Sequence, residues 1–114
     1  MKHQAAGNYL KAHRKRSGLS QREIGKLLGY NDPGQVSRHE QSRSTPPLTI
    51  ALSYEIIFKV SVSGIFVGMR GSIERDIESK LQQLEAELLN RSARDRDANL
   101  VAQKILWLKE RRGQ

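Results

Sequence analysis

The sequence predicts an all-α protein in two parts: five short helices over residues 1–70, then a helical hairpin or coiled-coil extension over residues 71–114. Two observations carry this. Glycine and proline punctuate the first 70 residues into short pieces, and almost every piece carries a helix signal rather than a strand signal. After Gly68-Met69-Arg70-Gly71 the chain becomes rich in Glu, Lys, Arg, Leu and Gln. There Ile77, Leu81, Leu84 and Leu88 recur at intervals of 4, 3 and 4, the seam of a coiled coil or hairpin.

The first helix is expected from about Tyr9 to Ser17, capped by Asn8 and stopped by Gly18 in a left-handed conformation. Ser20 and Glu23 have the spacing of a capping box, Ile24, Leu27 and Leu28 make an apolar stripe, and Gly29 ends the second helix. Asn31-Asp32-Pro33-Gly34 is dense in turn formers, and Gln35 to Gln41 then make two turns with Val36 inward. Past Pro46-Pro47, the set Leu48, Ala51, Leu52 and Ile56 fits a helical period up to Phe58, and Ser61 caps a last short turn ending at Ile65-Phe66. In the second part, the heptad phase fails at Arg91 and Asp95, and Val101, Ile105 and Leu108 start a new stripe. Ser92 and Asp95 offer another capping box between the two stripes. Two antiparallel helices joined near Asn90 to Ser92 are expected; one long bent helix is the alternative.

Charge is the first pointer to function. Of 20 Lys+Arg and 12 Asp+Glu, residues 1–70 hold 11 and 4 (+7), and residues 71–114 hold 9 and 8 (+1). A field of that sign on one part attracts phosphate backbones, although membrane surfaces and acidic proteins respond to the same physics. Composition excludes other classes. With no Cys there is no disulfide scaffold, thiol nucleophile or Cys-ligated metal. The runs Ile56-Ile57-Phe58 and Ile65-Phe66-Val67 are far too short to span a bilayer, the polar N-terminus has no signal-peptide core, and the chain is read as cytoplasmic. His13 and His39 lack metal-ligand spacing, and Tyr9, Tyr30 and Tyr54 are too dispersed for a base-stacking platform. Trp107 is read as a packing residue. No P-loop, nucleophile motif or paired carboxylates suggest an enzyme, and no cofactor is implied.

Two helices joined by a tight glycine-containing turn inside a basic five-helix unit suggest a helix-turn-helix. The run Leu10, Arg14, Gly18-Leu19-Ser20-Gln21, Leu28-Gly29, Val36-Ser37-Arg38, Glu40, Pro46, Leu48 and Val60 resembles the Cro and phage-repressor (xenobiotic-response-element) family of bacterial regulators over roughly residues 7–67. The resemblance implies a repressor-like five-helix DNA-binding fold whose third helix enters the major groove. It places Gln35, Ser37 and Arg38 on bases, a role their chemistry suits, since Gln pairs with adenine and Arg with guanine. Gln21 is placed on a phosphate at the start of the second helix, and Arg14 and Glu40 as an ion pair linking the first helix to the third. Arg22, Lys26 and Arg43 are read as further phosphate contacts. The sequence departs from the family in three places: Gly25 stands where Ala is common, the turn from Gly29 to Glu40 is one residue longer, and Gly64 replaces a frequent acidic residue, which predicts a frayed fifth helix.

The function expected is sequence-specific binding of double-stranded DNA by a homodimer that regulates transcription, with Ile77, Leu81, Leu84, Leu88, Val101, Ile105 and Leu108 as the dimerisation residues. An antitoxin-type regulator with a protein partner on the tail is an alternative. So is a protein-interaction module without specific DNA binding.

Overall fold

The computed structural model describes residues 7–91 and 97–113. Among these there are seven helices and no strand: α1 (Leu10–Ser17), α2 (Gln21–Leu28), α3 (Gly34–Glu40), α4 (Leu48–Phe58), α5 (Val62–Ile65), α6 (Val67–Arg91) and α7 (Ala98–Arg112). The chain divides into two compact units, Met1–Ile73 and Glu74–Gln114. Helix α6 starts before this division and runs unbroken through Gly68 and Gly71.

Local chemistry sets the helix ends of the first unit. Asn8 Oδ1 accepts the Leu10 amide at 2.9 Å, occupying an N–H that the start of α1 would otherwise leave open. Ser20 and Glu23 close the full capping box of α2, with Ser20 Oγ to the Glu23 amide at 3.0 Å and Glu23 Oε1 to the Ser20 amide at 2.8 Å. Hydrogen bonding of the carboxylate to the Ser20 amide, and then to its hydroxyl, holds Glu23 below the usual carboxyl range. Gly18 (φ 81°) and Gly29 (φ 90°) end α1 and α2 in the left-handed region, where a Cβ would be strained.

The core of this unit is Leu10, Ile24, Val36, Tyr54 and Ile65, one side chain from each of α1 to α5, together with Phe66 between α5 and α6. Two of the apolar sets read from the sequence lie only partly on the core side. Leu27 is 61% exposed, because the buried side of α2 is Ile24, Gly25 and Leu28, and α3 approaches over the glycine. In α4 the set Leu48, Leu52 and Ile56 points outward, with Leu48 72% and Ile56 74% exposed, while Ala51 and Tyr54 are buried. The four-residue spacing was real but belonged to the solvent side. Helix α5 is capped twice, by Ser61 Oγ on the Gly64 amide at 2.9 Å and by the Glu55 carboxylate on the Val62 amide at 2.8 Å. A carboxylate absent at Gly64 is thus present at this helix start from Glu55 of α4.

The second unit is an antiparallel pair, the rest of α6 against α7. Leu88, Val101 and Leu108 are buried in its seam with Leu81 and Ile105 packed on them. Arg111 binds Glu78 at 2.9 Å and Arg112 binds Glu85 at 3.0 Å across the two helices. Ile77 and Leu84 stay partly exposed. The proposed Ser92–Asp95 capping box lies outside the described residues.

Candidate functional site

The turn between α2 and α3 is built around a close backbone approach. Tyr30 donates its amide to the Gly25 carbonyl at 2.8 Å, and Asp32 Oδ1 accepts the Gly34 amide at 2.7 Å, an Asx turn that starts α3. A Cβ placed on Gly25 would come 3.2 Å from the Asp32 carbonyl oxygen. At Gly25 the turn carbonyl packs close against α2, so a Cβ there would require the turn to give by a few tenths of an ångström.

Three elements meet on the Glu40 carboxylate at the end of α3. Arg14 of α1 reaches it with Nε at 2.5 Å and Nη2 at 3.2 Å, and Gln21 at the start of α2 donates Nε2 to Oε1 at 3.0 Å. Arg14 Nη1 also donates to the Leu19 carbonyl at 3.2 Å. The Glu40 side chain is 4% exposed, so its charge is held by these donors rather than by water. The carboxylate in turn raises the Arg14 guanidinium above its ordinary value against the opposing effect of burial. One N–H of Gln21 is spent on this joint. Gln21 nevertheless stands at the N-terminus of α2, where backbone amides favour an anion.

Helix α3 turns Val36 and His39 inward, leaves Arg38 exposed, and keeps Gln35 and Ser37 half-buried. The arginine head lies back over Gly34, 3.4 Å from where that residue's Cβ would be. Gln41, which the sequence reading passed over, donates Nε2 to Ser37 Oγ at 3.1 Å and is exposed beside it. Its i, i+4 spacing from Ser37 is the signal that would have found it. Arg22 and Lys26 share one exposed face of α2 at the same spacing, and Arg43 is exposed just past α3.

The residue behind this face is His39. It is 2% exposed, with Nδ1 at 2.8 Å from the Tyr54 hydroxyl and its ring edge-on to the tyrosine. Burial pushes the imidazole below the ordinary histidine value, and the Arg38 charge adds to the shift. The same desolvation pushes the Tyr54 hydroxyl up. His13 stacks on Phe58 instead, with ring centroids 5.8 Å apart. Among the described residues no group of three His, Cys, Asp or Glu could hold a metal ion, and no helix is long and apolar enough to cross a membrane.

In the second unit, Leu84, Leu100, Gln103, Lys104, Trp107 and Leu108 line an open, largely apolar groove of about 360 Å³. Trp107 is 57% exposed, and the Arg111 guanidinium sits 5.9 Å from its ring centre.

The model of a helix-turn-helix domain matches residues 5–54, from before α1 into α4, and supports a DNA-binding regulator. No curated protein and no solved structure matches the chain.

Proposed function

We propose that this helix-turn-helix protein is a sequence-specific regulator of transcription, related to the Cro and phage-repressor type, that binds double-stranded DNA as a homodimer and has no catalytic role. The observation that carries the reading is the Glu40 joint, which fixes α1, α2 and α3 to one another and leaves Arg38 outward on a seven-residue helix. In this reading Gln35, Ser37 and Arg38, with Gln41 beside Ser37, face the major groove. Gln21, Arg22, Lys26 and Arg43 hold phosphates on either side. Residues 1–70 are the DNA-binding part and residues 71–114 the dimerisation part. A cytoplasmic, nucleoid-associated location follows from that partner.

The hairpin seam of Leu88, Val101 and Leu108 is already filled within one chain. A dimer contact through the tail therefore uses, in place of these buried seam residues, the flanking groove at Leu84, Leu100 and Trp107, which is apolar and open. The same groove favours a second reading, a regulator of antitoxin type whose tail takes a different protein.

Binding measurements on duplex DNA test the proposal. Affinity is expected to fall on the order of 10-fold or more between low and physiological salt if several phosphates are neutralised. Arg38→Ala should cost about 1–3 kcal/mol and relax preference at one base per half-site, whereas Lys26→Ala should weaken all sequences alike. Half-sites should lie about 34 Å apart, one duplex turn. Salt-insensitive binding, or an unchanged base preference in Arg38→Ala, would sink this reading of α3.

A further inference from the structure

The turn that closes α3 holds a serine where the backbone asks for glycine. Ser42 has φ 59°, in the left-handed region that side chains avoid. Its amide donates to the His39 carbonyl at 3.2 Å, and the next amide, of Arg43, reaches back to the Arg38 carbonyl at 2.9 Å. This is the Schellman arrangement, with Ser42 at the position glycine usually takes. The bond that spans more of the chain ties the backbone of Arg43 to that of Arg38.

The serine hydroxyl has a second use. Asn8, from the start of α1, donates Nδ2 to the His39 carbonyl at 2.9 Å and to Ser42 Oγ at 3.2 Å, while its Oδ1 accepts the Leu10 amide. One side chain thus fastens the beginning of α1 to the turn after α3. The hydroxyl that glycine would lack is one of its two acceptors there.

We propose that Asn8 and Ser42 are positioning residues for DNA binding: they fix the turn that sets Arg43 against a phosphate at a constant distance from Arg38. The inference rests on the DNA-binding reading above. For stability alone Ser42→Gly sets two comparable effects against each other, relief of the left-handed strain and loss of the hydroxyl that Asn8 binds, so the melting temperature should barely move. A turn that holds Arg43 for a phosphate loses its fastening.

The test uses the full-length chain and a mixed-sequence 24-base-pair duplex, titrated across a salt series, with thermal melts alongside. Arg43→Ala is expected to lower the slope of log affinity against log salt by about 0.9, which is about eightfold in affinity at 0.1 M salt. Ser42→Gly should match that loss while melting close to the wild-type temperature, and Ser42→Gly with Arg43→Ala should be no worse than Arg43→Ala alone. Asn8→Ala should repeat the slope change. Wild-type affinity and slope in Ser42→Gly, or losses that add in the double variant, overturn the inference and leave the DNA-binding reading intact. Failure of the wild-type chain to bind any duplex overturns both.

Discussion

His39 is a titratable group kept from water, and its position has a pH signature. The folded chain holds the imidazole below its ordinary value because protonation would charge a buried ring beside Arg38. The unfolded chain takes up the proton near pH 6.5. Stability from this group is therefore complete above about pH 6.5 and is lost as pH falls through that value toward the lower folded one. Urea unfolding at pH 7.5 and pH 5.0 should show the decline, and His39→Gln should remove part of it; an equal decline in the variant would assign it to other groups. The sequence showed a histidine beside a turn but not its hydroxyl partner, because Tyr54 lies 15 residues away on another helix. Gly25, where Ala is common, was legible as a residue that keeps room for close packing at a cost in helix propensity. The group that packs into that room, the Asp32 carbonyl, is set by the tertiary approach of the turn and is not visible in local spacing.

At the scale of elements, the helix ends were the most readable features. The Ser20–Glu23 box and the left-handed Gly18 and Gly29 depend on residues a few positions apart, so spacing alone specifies them. Helix α4 was readable in extent and not in orientation. It is apolar nearly all round, with Ile50, Ala51, Tyr54, Ile57 and Phe58 on the core side and Leu48, Leu52 and Ile56 opposite, so periodicity cannot choose between faces. Helix α5 has only four residues and relies on its caps. Removing the carboxylate by Glu55→Ala leaves the Val62 amide without its acceptor and should cost about 1 kcal/mol. Faster amide exchange confined to residues 62–66 should accompany it; a uniform change across the unit would place the effect elsewhere.

For the whole molecule, the separate cores of the two units predict what a truncation does. The first core draws on helices α1 to α5 and Phe66, with Met69 packed against it, so a chain ending at Ile73 should stay folded. If the tail supplies the dimer contact, that chain should sediment as a monomer and lose most operator affinity while keeping weak nonspecific binding. A truncated protein still dimeric at micromolar concentration would place the contact on the first unit. The Glu40 carboxylate carries a different consequence for this unit. Because Oε1 and Oε2 between them anchor α1 and α2 to the end of α3, neither α1 nor α3 can swing away without stranding a buried charge, and α2 cannot leave without taking a hydrogen bond from the carboxylate. The three helices should therefore breathe together. Native-state hydrogen exchange should give the slowest amides of α1, α2 and α3 a single free energy of opening. In Glu40→Gln that common value should split, with α1 opening first because Arg14 has lost its counter-charge.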